Sequence, residues 1–502
     1  MIKILPVEDI RNADQFTIEN EPIASIDLME RASEACVEWM LPYLKEEASI
    51  RIVCGLGNNG GDGLAIARLL AAKDYKVDVI ILSFSTQQSE DFRINLEKLK
   101  DVKCEIHSVK NSAHFPTINA EDIVIDAIFG SGLSKPVKGF IGECINRIND
   151  SGAVTISIDI PSGLFADQNS TDENGYIVKA DYTLTLEFPK YAFFIPENNE
   201  FVGDWHVLSI GLLKEFTDKL DPKNHMLTAS SSYSFLKSRR KYSHKGTYGH
   251  GLLISGSTGK FGAAVLAAKA ALRAGIGLLT AHIPTKGNDI LQTAVPEAML
   301  SLDRFENYFS EIPELNSYNA IGVGPGLGME EQSQNALKYL IQNAGQPIVF
   351  DADALNTLAE NKTWLGFLNP NCILSPHPKE FERLAGKADN DFERLEMLKD
   401  FAVKHQVYMI LKGAHTAIAD PLGNCYFNST GNPGMATGGS GDVLTGMLLG
   451  LLSQGYTALE ASILGVFLHG LAGDLAAKKK GYEALIAGDI IDYIGKAFKK
   501  FY

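Results

Sequence analysis

The densest chemical signal is the run Asn432-Pro433-Gly434-Met435-Ala436-Thr437-Gly438-Gly439-Ser440-Gly441-Asp442, which precedes the apolar stretch Val443–Leu452. Small residues let backbone N–H groups approach a phosphate closely, and a following helix adds partial positive charge at its N-terminus. Asp442 in the first turn would stand beside a transferring phosphoryl group and accept the proton of an attacking hydroxyl. The bland alternative is a glycine-rich helix start with an ordinary Asp, but so many small residues together have little structural use. The turn Gly256-Ser257-Thr258-Gly259-Lys260-Phe261 imitates a Walker loop. Ile254 stands where that motif needs glycine, and Phe261 replaces Ser/Thr, so the turn reads as a second backbone cradle.

The first half carries its own cluster. Gly55-Leu56-Gly57-Asn58-Asn59-Gly60-Gly61-Asp62-Gly63 contains GxGxxG between a predicted strand and a predicted helix. A dinucleotide fingerprint needs an acidic residue at the end of the next strand, about 20 residues on. That strand ends Val79-Ile80-Ile81-Leu82-Ser83, and Asp78 lies near its start, the wrong end for a ribose. Two further strand ends are polar: Asp126 through Pro136, and Asp159-Ile160-Pro161-Ser162-Gly163-Leu164. Ligands of open α/β sheets bind at such ends. Asn59, Asp126 and Ser162 can converge there as oxygen ligands of one hard cation, with Asp159 nearby as general acid/base. Singly, each Asp is more often a loop cap. In the second half, His377 between two prolines is either a ligand contact or part of a simple turn. Asp351 and Asp353 either bind Mg²⁺ or cap the next helix, and capping is favoured slightly.

The elements that would hold these groups alternate. The first half reads as a helix over 22–45, a strand Arg51–Cys54, a helix Gly63–Lys73 and a strand Lys76–Leu82. Strands Ile123–Ala127, Val154–Ile160, Tyr182–Leu186 and Trp205–Ile210 follow. Continuous apolar runs suit parallel strands buried on both faces. A polar stretch without periodicity places a boundary near 215–230. The pattern then restarts with strands Gly251–Ile254, Leu278–His282, Ala320–Val323, Ile348–Asp351, Cys372–Leu374 and Tyr408–Leu411, and helices Ala263–Ala274 and Ala458–Lys478. Two α/β domains are expected, over 1–220 and 228–502, the first a Rossmann-like doubly wound sheet.

Composition narrows the class. At 502 residues, 45% hydrophobic and 21% charged, two full cores are affordable. A net charge of −15 argues against a nucleic-acid partner. Six cysteines show no CxxC pair and no zinc spacing, which suits reduced thiols. No signal peptide and no apolar run of about 20 residues is seen, so a soluble cytoplasmic protein without membrane partners is expected.

GNNGGDG, DAIFGSGLSKP and DIPSGL, with LMERA at Leu28–Ala32, resemble the NAD(P)H-hydrate epimerase family over roughly residues 1–215. That resemblance implies epimerisation at C6 of a hydrated nicotinamide ring with bound K⁺. It places Asn58, Asn59, Gly60, Gly61, Asp62, Gly130, Ser131, Gly132, Leu133, Ser134, Lys135, Pro136 and Asp159 on the substrate, and Asn59, Asp126 and Ser162 on K⁺. Lys190 matches a family lysine near the site, although Tyr191-Ala192-Phe193 departs from the small residues usual after it. HKGTYGHGLLISGS, GPGLG, DADALN, LSPHPKEFERL, LKGAHT and NPGMATGGSGDVLTG resemble the ribokinase-like NAD(P)H-hydrate dehydratase family over about 228–502. This implies that Lys412, Gly413, Ala414, His415, Thr416 and Gly441 contact ADP, used with Mg²⁺, and that Ala264, Gly326, His377 and Asp442 contact the hydrate. Lys379 stands where that family usually has glycine.

Together the resemblances imply repair of hydrated NADH and NADPH: one half interconverts the R and S epimers, and the other dehydrates the S form. The expected partners are these small molecules, ADP or ATP, and further copies of the chain in a homo-oligomer. Another ribokinase-like small-molecule kinase, a non-catalytic first half that recruits a protein or RNA, and a plain NAD-dependent dehydrogenase are the competing readings.

Overall fold

The computed structural model describes residues 1–170 and 175–502. The chain divides into two compact α/β units, Ile2–Pro222 and Lys223–Tyr502.

The first unit begins with a short strand β1 (Ile2–Ile4) and helices Val7–Asn20 and Ser25–Met40. Its sheet comprises β2 (Ser49–Cys54), β3 (Lys76–Leu82), β4 (Glu105–Val109), β5 (Ile123–Ala127), β6 (Val154–Ile158), β7 (Tyr182–Leu186) and β8 (Asp204–Leu208). The strands run parallel in the order β4-β3-β2-β5-β6-β7-β8. Alternate residues feed opposite faces. Ile50, Ile52 and Cys54 pack with Leu64, Ile66 and Leu70 of helix Asn58–Ala71, while Val53, Ile80 and Val124 pack with Ile145 and Ile148 of helix Gly139–Asn149. Burial of both faces explains the unbroken apolar runs of the central strands. Strand order reverses at β2, whose neighbours are β3 and β5, so a crevice opens where their carboxyl ends diverge.

Several expected boundaries move. The helix after β2 begins at Asn58, not Gly63, so Asn58–Asp62 form its first turn rather than a loop. A Cβ on Gly60 would lie 2.0 Å from the Gly55 carbonyl oxygen, and one on Gly63 would lie 2.6 Å from Ala127 Cβ. These glycines serve close packing of the helix onto the sheet. Strand β6 ends at Ile158, and Asp159 turns the chain with φ +67°. The first long helix is also shorter than expected, Ser25–Met40.

The second unit holds β9 (Asn224–Met226), β10 (His250–Ile254), β11 (Leu278–Pro284), β12 (Met299–Asp303), β13 (Ala320–Val323), β14 (Ile348–Phe350), β15 (Ile373–Leu374), β16 (Tyr408–Leu411), β17 (Ala417–Ala419) and β18 (Cys425–Phe427). Their order is β9-β18-β17-β16-β15-β14-β13-β10-β11-β12, parallel from β16 to β12. β9 arises from the polar stretch without periodicity and pairs with β18. Helices Phe261–Arg273, Ser440–Ser453, Ala458–Lys480 and Ala487–Phe498 supply much of the largest core cluster. Gly446 and Gly450 lie where a Cβ would be 2.1 Å from the Ala267 oxygen and 2.8 Å from the Ala271 oxygen, so two of these helices meet backbone to backbone. Helix Ala458–Lys480 corrects one expectation: it is long and apolar enough to cross a membrane. Most of its apolar residues are buried in that core, which accounts for its composition.

Candidate functional sites

In the first unit, the carboxyl ends of β2, β5 and β6 gather the polar residues. Asp126 is fully buried. It accepts from Ser162 Oγ (2.5 Å), the Ser162 N–H (2.8 Å) and Ser157 Oγ (2.7 Å). Burial pushes its pKa up, and those donors work against the rise. Ser162 Oγ also accepts from the Phe129 N–H at 2.9 Å, fixing the start of the Gly130 turn. Asn59 is buried, and both its Oδ1 and Nδ2 lack a hydrogen-bond partner. Unpaired buried polar atoms are costly and mark a place where something else binds. A Cβ on Gly130 would lie 3.4 Å from Asn59 Cβ and 3.7 Å from Asp159 Oδ2, so these three residues share one wall.

Asp159 accepts from the Ser131 N–H at 3.3 Å and pairs with Lys190 Nζ at 2.7 Å. Lys190 is 1% exposed and also donates to Thr185 Oγ1 and the Phe188 oxygen. Burial favours neutral Asp159, but the Lys190 ammonium and the Ser131 donors outweigh it and hold the pKa below the usual value. Burial, with the charges of Asp159, Asp14 and Asp91, raises Asp62 well above the carboxylate range. Asp14 rises to about 7 by burial and by Asp159. Asp14 and its helix neighbour Arg11 were not among the sequence-based candidates, because helix Val7–Asn20 itself was not anticipated. Asn58, Gly132, Ser134 and Lys135 are exposed at the rim, with Leu133 and Pro136 half-buried. Asp78 pairs with Arg51 at the opposite end of the sheet, away from the crevice.

In the second unit, Asp442 lies in the first turn of helix Ser440–Ser453, after Gly439 at φ +90°. Burial and the Asp351 charge push its carboxyl to about 6. Asp351 is buried and bound by Lys412 Nζ and Thr445 Oγ1, each at 2.7 Å, so it does not cap a helix. Asp353 starts helix Asp353–Glu360 and accepts from the Gly328 N–H (2.9 Å) and Lys260 Nζ (3.1 Å). A Cβ on Gly441 would lie 3.4 Å from Lys412 Nζ, which brings the glycine-rich run to that lysine. The rest of the lysine's run forms a turn closed by Thr416 Oγ1 on the Gly413 oxygen, with Gly413 and Ala414 exposed and His415 turned to the Asn428 oxygen.

His377 caps helix Pro378–Ala385: its Nδ1 accepts from the N–H groups of Lys379 and Glu380, and its Nε2 lies 3.5 Å from Glu380 Oε1. Glu380, absent from the sequence-based candidates, is raised by burial and opposed by Lys412. The turn after β10 meets the turn after β13: the Gly256 N–H donates to the Pro325 oxygen, Ser257 Oγ donates to the Gly326 oxygen, and Gly256 abuts Ala264. Ala264 and Gly326 thereby flank one crevice, at the point where strand order reverses around β10. His469, also missed because it sits in an apolar helix, lies 3.4 Å from Ser440 Oγ, and burial lowers its pKa to about 4.

The family described as NAD(P)H-hydrate dehydratase matches residues 251–496, and the YjeF-related protein N-terminus matches residues 25–192. The bifunctional NAD(P)H-hydrate repair enzyme Nnr of Moorella thermoacetica is 36% identical over 511 residues, covering 98% of this chain and 96% of its own. The protein of the same name from Escherichia coli K12 is 32% identical, with 96% and 91% covered. Among solved structures, the ADP/ATP-dependent NAD(P)H-hydrate dehydratase from Bacillus subtilis, co-crystallised with ATP and Mg²⁺, is 32% identical. It covers 55% of this chain and 99% of its own, with a TM-score of 0.49. By full-length identity to such relatives, this chain belongs to the family of bifunctional NAD(P)H-hydrate repair enzymes.

Proposed function

We propose that the chain repairs hydrated NADH and NADPH at two sites, an epimerase domain over residues 1–220 and a dehydratase domain over 228–502. In the hydrate, water has added across C5–C6 of the dihydronicotinamide, so C6 bears a hydroxyl beside the ring nitrogen. One observation carries the dehydratase reading: Asp442 opens a helix after left-handed Gly439, next to the buried Lys412–Asp351 pair. Hydroxide leaves poorly and phosphate leaves well. Asp442 takes the C6 hydroxyl proton as that oxygen attacks the β-phosphorus of ADP and AMP departs. Phosphate then leaves C6, a proton leaves C5, and the double bond returns. Lys412 to Thr416 and Gly441 hold the nucleotide, while Ala264, Gly326 and His377 hold the hydrate. Among the described residues no three His, Cys, Asp or Glu side chains converge as a metal site. Mg²⁺ would therefore be held mainly by the nucleotide phosphates, whose charge it neutralises.

The epimerase site supports inversion at C6. The ring nitrogen lone pair expels the hydroxyl as water, using a proton from the Asp159–Lys190 pair. Water returns to the opposite face and gives that proton back. Asn59, Asp126 and Ser162 would hold K⁺: one carboxylate among amide and hydroxyl oxygens suits a hard monovalent cation, and the Asn59 oxygen has no other partner. Bound there, K⁺ supplies positive charge to an acidic pocket. The six free thiols suit a reducing, cytoplasmic compartment. The test is recovery of 340-nm absorbance from mixed NADH hydrates with ADP and Mg²⁺. Full recovery is expected, and none at all would refute the dehydratase reading.

A further inference from the structure

We propose that Arg11 and the backbone of the Gly130–Ser134 turn form an anion subsite that holds the 5′-phosphate on the nicotinamide ribose of the hydrate. The inference deepens the epimerase reading and rests on it. Helix Val7–Asn20 is pinned at both ends. The Val7 N–H donates to Asp167 Oδ2 at 2.8 Å, and Thr17 Oγ1 accepts from the Leu213 N–H at 3.1 Å. Ile10, Ala13 and Thr17 are buried between those ends, which fixes the helix's rotation. Arg11 is thereby presented to a cleft of about 180 Å³, lined also by Ser131–Ser134 and Phe165–Gln168.

Arg11 is exposed, and two observations tie it to the turn. Its Nη2 stands 2.3 Å from where a Cβ on Gly132 would be, so the bare glycine is what admits the guanidinium to the turn. Among the described residues the guanidinium has no hydrogen-bond or ion-pair partner, and the N–H groups of Gly132 and Ser134 donate to none. A free guanidinium beside free backbone donors is the composition of a phosphate site. Asp167, the one carboxylate among the described residues that line the cleft, has an oxygen committed to Val7.

Position selects the phosphate. Ser131 touches Asp159, and its neighbour Gly132 touches Arg11, so the subsite lies one residue along the turn from the acid–base pair. The phosphate attached through the nicotinamide ribose is the one within that reach. The 2′-phosphate of NADPH hydrate sits at the far end of the dinucleotide.

The experiment compares epimerisation of two truncated hydrates by the full chain: reduced nicotinamide mononucleotide and reduced nicotinamide riboside. Arg11→Ala is expected to raise KM for the mononucleotide hydrate about 10- to 100-fold, the loss of one charged hydrogen-bonding group, with kcat little changed. The riboside hydrate, which has no phosphate, should be unaffected, and Arg11→Lys should recover part of the mononucleotide KM. Equal losses on both substrates, or no loss on the mononucleotide, would overturn the subsite. Failure of the epimerase reading would look different: the unaltered chain would invert neither hydrate.

Discussion

Lys412 Nζ lies 2.7 Å from Asp351 Oδ1, while Thr445 Oγ1 holds the other carboxylate oxygen at the same distance. The three residues tie the ends of β16 and β14 to the helix that carries Asp442. Asp351 is 2% exposed, so removing its cation leaves a buried, unpaired charge. Lys412→Met should therefore destabilise the second unit by about 3 kcal/mol, read from the denaturant midpoint. It should also weaken ADP binding in calorimetry.

Asp442 carries a pH signature. With its carboxyl near 6, the proposed base is ionised above that value, so dehydratase kcat/KM should rise through about pH 6 and level off. Asp442→Asn should abolish dehydration while leaving epimerisation intact. The folded pKa lies above the unfolded one near 4. The carboxyl's contribution to stability is thus fully present below pH 4 and is lost as pH rises through about 6. The Asn variant should accordingly be more stable than the parent at pH 8, by roughly 1 kcal/mol. A melt at pH 8 showing the variant less stable would contradict this.

Asp14 makes the parallel case in the first unit. Its carboxyl titrates near 7, facing Asp159, Lys190 and Glu187. Epimerase activity should show an inflection near pH 7 that disappears in Asp14→Asn. The sign for stability is the same: the favourable contribution of the protonated group fades between about pH 4 and pH 7. A pH–rate profile unchanged in the variant would remove Asp14 from the site's electrostatics.

The glycines after β2 are not equivalent. Gly60→Ala places a methyl 2.0 Å from a backbone oxygen and should cost at least roughly 2 kcal/mol, with loss of epimerisation. Gly57→Ala meets nothing within 4 Å, has φ −92°, and should stay within about 0.5 kcal/mol of the parent. Thermal melts of the two variants check the contrast.

Central strands were legible because burial on both faces writes continuous apolar runs, and β3, β5 and β7 fall at the expected residues. The edge strand β8 overlaps the expected Trp205–Ile210, but β4 and β12 were not legible: Glu105–Val109 is exposed at Glu105, Ile106 and Ser108, and Met299–Asp303 is buried only at its end, so neither stands out from loops. Asn58–Asp62 looked like a loop because helix propensity disfavours Asn and Gly, yet the segment is helical, with Gly60 packed on the Gly55 backbone and Gly61 on Met29. Asp442 was visible because its glycine-rich neighbours are unusual. Arg11, Asp14, Glu380 and His469 were invisible because their types suit their helices, and only the tertiary fold brings them to polar crevices.

The backbone-to-backbone contact of helices Phe261–Arg273 and Ser440–Ser453 limits how the dehydratase crevice can evolve. Side-chain exchange cannot widen a gap set by main-chain oxygens at Ala267 and Ala271. Ala264 and Asp442, each in the first turn of its helix, therefore keep a fixed separation. A change of substrate in this lineage would have to come through the turns around Gly256 and Gly326, while the two helix starts stay where they are.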